Sequence, residues 1–348
     1  MNPSFDEVLK ADADTRAGLF ATTAQRLGTT PQNAEKDFWV CWTLDMLFNG
    51  RGGGPRLLFK GGTSLSKGFG LIRRFSEDVD VTVFRDDLGQ AHSLAELAGM
   101  SGKKREAALD AIRAACENYV GGDLLEQLRH VAGETSARTG LPAGQLAIEL
   151  NPDDSQSLLV RYPTATPADG YVDKVVKIES DAKSALDPNS VRPILPYLDE
   201  DVPSLDLTVA NVTIVDAERT FWDKIVILHG LRRWFERRGQ LRGGGHRISR
   251  HYYDLHRLTN SEVGKKALKE VELGAECVEH ARMFFNRPDF DLASARPPTF
   301  TLTPEGDMHD DLRRDYAAMT AMIFGEPPPF EAIVETVAEV ERAINSAG

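Results

Sequence analysis

Apolar residues recur at roughly helical spacing through 5–27 (Phe5, Val8, Leu9, Leu19, Phe20, Leu27), which predicts helix there. Thr29-Thr30-Pro31 reads as a second helix start, with proline in the first turn. Phe38, Trp39, Trp42, Leu44, Leu47 and Phe48 follow, and Asn49-Gly50 stops the run. Leu57-Leu58-Phe59 is a short apolar strand running into Gly61-Gly62, residues 63–72 suit a short helix, and Val79–Val83 alternates as a strand does. Residues 93–138 are rich in Ala and Leu and helical in pattern, broken at Gly121-Gly122. Strand-like runs follow at Leu146–Leu150, Leu158–Tyr162 and Tyr171–Glu179. Four prolines make 181–206 a connection, extended over Val191–Tyr197, and Leu207–Val215 is β-rich again. Asp216 suits the N-cap of a helix running to about His229. Further helices are expected near 249–258, 262–285, 309–323 and 330–345. There is no internal repeat or low-complexity tract. The pattern divides an α+β front part from an all-helical back part near residue 215.

Composition narrows the class. The chain has 348 residues, 41% apolar and 27% charged, ordinary for a soluble globular protein of one large or two smaller domains. Its 53 acidic and 41 basic residues give −12, which excludes a protein that coats nucleic acid or anionic membrane. Cys41, Cys116 and Cys277 form neither a disulfide framework nor a zinc knuckle. The acidic start, MNPSFDEVLKADAD, lacks the apolar core of a signal peptide, and no window approaches a membrane span. A reducing cytoplasm is expected.

The charge is unevenly spread. Between Leu231 and Arg250 lie Arg232, Arg233, Arg237, Arg238, Arg242, Arg247 and Arg250, against Glu236 alone. Trp234 and Phe235 offer stacking surfaces, and Gly243-Gly244-Gly245 predicts a mobile segment. This suits contact with an RNA backbone, a solvated helix end or an acidic partner. His246, His251 and His256 recur every five residues, which does not match the i, i+4 spacing of helical metal pairs.

The densest chemistry is Phe59-Lys60-Gly61-Gly62-Thr63-Ser64 followed by Arg74-Phe75-Ser76-Glu77-Asp78-Val79-Asp80. Two glycines after a strand let backbone approach a phosphate, and Thr63 and Ser64 would open a helix whose free N–H groups suit an anion. Asp78 and Asp80 share one face of a strand. Side-by-side carboxylates repel, and their natural partner is a hard cation such as Mg²⁺ (or Mn²⁺), which takes substrate phosphates as its remaining ligands. Together the two features point to nucleotide–metal chemistry.

These motifs resemble the glycine-pair and Asp-x-Asp signature of the nucleotidyltransferase superfamily that includes DNA polymerase β. With Glu35-Lys36-Asp37-Phe38-Trp39 and Lys67 they more closely resemble the AbiEii/AbiGii toxin family, to which the mycobacterial MenT toxins are related. The resemblance runs from about residue 33 to 260 and leaves the tail uncovered. It implies a helical lysine, matched by Lys224 in Ala217–Lys224, that touches the nucleotide triphosphate. It also implies an Arg-Asp-x-x-Asp-Leu pattern, met here as Arg250-His251-Tyr252-Tyr253-Asp254-Leu255. Asp254 is kept and His251 replaces the first aspartate. A third carboxylate on a neighbouring strand is implied too. Glu179 is the first candidate and Glu149 the second, either of which could instead face solvent.

The resulting expectation is a nucleotidyltransferase-like mixed sheet core (31–215) after an N-terminal helical segment (1–30), with a helical C-terminal domain (216–348) and the site in the cleft between core and helical part. Asp78 and Asp80 hold the metal, with Glu179 as a further carboxylate. Gly61, Gly62, Thr63 and Ser64 grip phosphates, with Ser76 beside them and Lys67 adding charge. Lys224 and Asp254 complete the set. The resemblance implies a toxin of a toxin–antitoxin or abortive-infection (phage-defence) system. It would use an NTP to modify RNA, with the tRNA 3′ end as target, block translation, and meet a cognate antitoxin. Alternatives are transfer to a small molecule or protein, or an NTP-binding interaction module.

Overall fold

The computed structural model describes residues 1–167 and 174–346. The chain forms two compact units, Met1–Phe69 with Phe75–Val215, and Gly70–Arg74 with Asp216–Gly348.

The first unit opens with α1 (Ser4–Lys10), α2 (Ala13–Leu27) and α3 (Pro31–Asp45). The run expected as one helix over 5–27 is two, because Asp12 takes the N-cap of α2 and accepts from Thr15 N–H. Thr30 caps α3 in the same way, and Pro31 occupies its first turn. Phe5 and Phe20 pack on Phe38, with ring centroids 5.4 and 5.8 Å apart, so residues 1–30 belong to this core. β1 (Leu57–Lys60) leads into α4 (Gly61–Lys67), which starts at the first glycine rather than at Thr63. β2 (Val79–Val83), α5 (Leu94–Gly99), α6 (Gly102–Tyr119), α7 (Leu125–Thr139), β3 (Ala147–Leu150) and β4 (Ser157–Arg161) follow. β5 (Val175–Asp181), β6 (Asn189–Ile194) and β7 (Val209–Val215) complete the unit. Tyr171–Asp173 of the expected third strand-like run lie outside the described residues; the described strand extends two residues beyond Glu179.

Seven strands form one mixed sheet, in the order β3-β4-β5-β2-β1-β7-β6. β1 is antiparallel to β2 and parallel to β7, and β2 is parallel to β5. The expected connection over 181–206 thus contains the edge strand β6, where Pro193 coincides with a register shift between Arg192 and Ile194.

The second unit is helical: α8 (Ala217–Arg238), α9 (Ser249–Thr259), α10 (Glu262–Ala267), α11 (Val271–Phe284), α12 (Asp307–Met319) and α13 (Phe330–Ser346). α8 continues past His229 to a left-handed Gly239 (φ 64°), whose N–H closes on Phe235 O. The single helix expected over 262–285 is two, with Ser261 capping α10. α11 passes close to α8 at Gly274, where a Cβ would sit 2.7 Å from the Trp222 ring. Residues 70–74 join this unit: Arg74 bridges Ile323, and Phe324 N–H donates to Arg73 O at 2.8 Å. Among the described residues no helix is long and apolar enough to cross a membrane.

Candidate active site

The Asp-x-Asp strand occupies the middle of the sheet. Register pairs Asp80 with Lys60 on one neighbour and with Glu179 on the other. Residues paired across strands share a face, so Lys60, Asp80 and Glu179 form a row over β1, β2 and β5. Val79 and Val81 alternate with them and are buried beneath. Burial, then Glu77, Glu179 and Asp80, push the Asp78 carboxyl up to about 6, with Lys36 opposing. The carboxylates of Glu77, Asp78, Asp80 and Glu179 repel one another and offer hard oxygen donors, which fits a divalent cation, while Lys60 in the same row pairs with Asp181 at 2.9 Å. Among the described residues no three such groups converge at coordination distance. A Mg²⁺ ion that keeps one or two carboxylates and draws on substrate phosphates needs no such trio.

Gly61 makes the close turn beside this row. Its φ is +80°, and a Cβ there would overlap the Asp80 carboxylate. Glycine is needed on both counts. The Thr63 hydroxyl donates to Asp78 O at 2.6 Å and lies 2.8 Å from Ser76 Oγ, so Thr63 and Ser76 tie the turn to the segment that leads through Asp78 into β2. Ser64 Oγ donates to Gly61 O at 2.9 Å. These hydroxyls serve the turn itself, and the backbone of Gly61 and Gly62 is what remains for a phosphate.

Lys67 is not brought to the turn. Its ammonium is buried 2.6 Å from Asp37 and 3.5 Å above the Tyr197 ring. Glu149 pairs with Arg161 on the edge of the sheet at 2.8 Å. Glu179 is bonded to Lys177 at 2.6 Å and stays half-exposed beside Asp80. The Glu35-Lys36-Asp37 run proves to be three staples. Glu35 accepts from Ala165 N–H and Thr164 Oγ1, Lys36 pairs with Glu77 at 2.8 Å, and Asp37 holds Lys67 and Tyr197 N–H.

In the second unit Lys224 and Asp254 meet directly, Nζ to Oδ2 at 2.8 Å. Arg74 holds the same carboxylate with both arms, Nε to Oδ1 at 2.8 Å and Nη2 to Oδ2 at 2.9 Å. Burial alone would raise the Asp254 carboxyl, but Arg74 and Lys224 override it and hold it well below the usual carboxylate range. Lys224 is pulled below its ordinary value by burial, and by Arg74 and Arg250 as well, with Asp254 opposing. His251 places Nδ1 3.2 Å from Lys224 Nζ. Arg74 is the residue that sequence reasoning passed over. It stands in the quoted Arg-Phe-Ser-Glu-Asp run, but its partner lies 180 positions away.

The arginine segment departs from its expected form. Arg232, Arg233, Arg237 and Arg238 lie on α8, in its last turns, and not in a loop. Two of them meet acids that the linear charge count does not show, Arg232 pairing with Glu305 at 2.9 Å and Arg238 with Asp289 at 2.6 Å, while Arg233 pairs with the counted Glu236 at 2.9 Å. Arg247 N–H donates to Asp315, and Arg242 lies 5.2 Å from the Phe290 ring. Gly243, Gly244 and Gly245 form a defined turn with φ of 64°, 74° and 83°. Phe235 is buried, and Trp234 packs edge-on against Phe290, so neither is an open stacking platform.

The family model for the nucleotidyl transferase AbiEii toxin, type IV toxin–antitoxin system, matches residues 45–336. The chain belongs to this family of nucleotidyltransferase toxins, and the match takes in most of the tail that the motif resemblance left uncovered. Among solved structures it is similar to MenT4, a nucleotidyltransferase toxin from Mycobacterium tuberculosis H37Rv. That likeness has 15% identity and a TM-score of 0.41, and covers 94% of this chain and 98% of that one. No curated protein sequence matches the chain.

Proposed function

We propose that this chain transfers a nucleoside monophosphate from an NTP to the 3′ hydroxyl of an RNA, a tRNA 3′ end, and so blocks translation in the cytoplasm until a cognate antitoxin restrains it. The observation that carries the reading is the gathering of Asp78, Asp80 and Glu179 beside the Gly61 turn, where Asp80 pairs in register with Glu179 and the Asp78 carboxyl is pushed up to about 6 by burial and by Glu77, Glu179 and Asp80. Asp78 and Asp80 would hold Mg²⁺ or Mn²⁺, with Glu179 as the neighbouring carboxylate. When bound, such an ion neutralises triphosphate charge and acidifies an acceptor hydroxyl. Gly61 and Gly62 lend the phosphates unobstructed backbone. In the second unit Asp254 and Arg74 hold Lys224, the cation to which the family resemblance gives a triphosphate contact. Of the arginines in this segment, Arg237 and Arg238, with side chains 45% and 54% exposed, and the exposed Arg242 would meet an RNA backbone.

A second reading, transfer to a small molecule or a protein, is favoured by the acids already paired with Arg232, Arg233 and Arg238. Incubation of the purified protein with α-labelled NTPs, Mg²⁺ and total tRNA separates the two. Label on tRNA, lost in Asp80→Ala, is the expected result. Labelling of a protein or small molecule alone supports the second reading, and no transfer to any acceptor refutes both.

A further inference from the structure

Lys60 ends β1 and stands immediately before the Gly61 turn. Its register partner is Asp80, and Asp80 pairs in turn with Glu179, so a cation shares the sheet face that carries these two carboxylates. The side chain does not stay in its own row. It reaches to Asp181, which the register places beside Thr82 in the next row of the same face, and pairs with it at 2.9 Å. Asp181 is a fixed anchor. Its Oδ1 accepts from Lys183 N–H at 2.8 Å and Ser184 N–H at 2.7 Å, and its Oδ2 accepts from the Ser184 hydroxyl at 2.9 Å. Burial pulls the Lys60 ammonium down, but Asp181, then Asp80 and Glu179, hold it well above its ordinary value, so it is charged at neutral pH. Its side chain is 25% exposed, which leaves the charge within reach of a ligand seated at the turn.

We propose that Lys60 makes this site select a metal–polyphosphate complex over the free metal ion: the ammonium that Asp181 holds beside Asp80 and Glu179 repels a lone divalent cation and attracts the negatively charged complex. This rests on the proposed nucleotidyl transfer, in which that complex is the metal-bound NTP. The sign of the effect follows from the Lys60 charge itself, whatever other partners the carboxylates have. One fixed positive charge raises the free energy of a nearby cation and lowers that of a nearby anion. Carboxylates without such a charge beside them would take up the metal before any nucleotide arrives.

The test uses the whole chain, with two probes, Mn²⁺ alone and Mn²⁺ with inorganic tripolyphosphate, read by electron paramagnetic resonance and calorimetry. The wild type should bind the complex more tightly than the free ion. Lys60→Gln keeps a donor for Asp181 and removes the charge. It should bind Mn²⁺ alone about tenfold more tightly than the wild type, and the complex about tenfold more weakly. Lys60→Arg keeps the charge and should stay within about threefold of wild type for both probes. A merely structural role cannot give opposed shifts, because lost folding weakens both ligands together. Shifts of one sign, no shift in Lys60→Gln, or the same shifts in Lys60→Arg overturn the inference. So does a wild type that binds Mn²⁺ alone as tightly as the complex, a result that needs no variant to fold. If the opposed shifts appear but the wild type transfers no nucleotide, the functional reading fails and the role of Lys60 stands.

Discussion

Asp78 is where folding and chemistry oppose each other. A carboxyl whose folded pKa is raised to about 6 binds its proton more tightly in the native state than in the unfolded chain. The stability this gives is full below the unfolded value near 4 and is lost as pH rises through about 6. At neutral pH the ionised group is a net cost. Asp78→Asn should therefore melt higher than wild type near pH 7 without metal, and the gap should close at about pH 4. Excess Mg²⁺ should stabilise the wild type and not the variant. A variant that melts lower at neutral pH would contradict this. Asp80 falls within β2 as the alternating pattern predicts, and Asp78 stands just ahead of that strand. The fates of Thr63, Ser64 and Lys67 were not legible in the sequence. A hydroxyl or an ammonium next to a motif reads as a ligand group until its partner is known, and Lys67 finds Asp37, 30 residues earlier in the chain.

At the scale of elements, the alternating strands and the capped helices follow from the sequence pattern, and boundaries shift where a cap or tertiary packing intervenes. α8 is the instructive case. The expected end lies near His229, yet Leu231 and Phe235 continue the buried stripe, and Arg232–Glu236 and Arg233–Glu236 pairs at helical spacing accompany it on to Gly239. What looked in sequence like a bare basic loop is a helix end facing Asp289, Asp291 and Glu305. Linear charge counts miss such partners because they lie more than fifty residues away. The half-exposed pair Arg237 and Arg238 gives this element its own test. Changing both to Gln should raise KM for tRNA several-fold and flatten its salt dependence, while NTP binding is unchanged. An unaltered KM for tRNA would remove RNA contact from this helix.

For the whole molecule, a net charge of −12 excludes general polyanion binding and leaves charge to act locally. Two clusters do so: Asp78, Asp80 and Glu179 at β2 and β5 beside Lys60 of β1 in the first unit, and Arg74, Lys224, His251 and Asp254 in the second. The first draws on two neighbouring motifs, 60–64 and 76–80, that stand close together in the sequence, with Glu179 joining from a distant strand through the register of β5 with β2. The second gathers residues from 74 to 254, so only the resemblance nominated Lys224 and Asp254, and the coordinates added Arg74 and the bond from His251. Family membership establishes a nucleotidyltransferase toxin. The acceptor remains the decisive point. Sequencing RNA 3′ ends from cells that express the wild type or Asp80→Ala addresses it directly. The account predicts added nucleotides on tRNA 3′ ends with the wild type, absent with the variant, together with growth arrest that the variant also lacks. Unchanged 3′ ends, with growth arrest equal in the two, would contradict it.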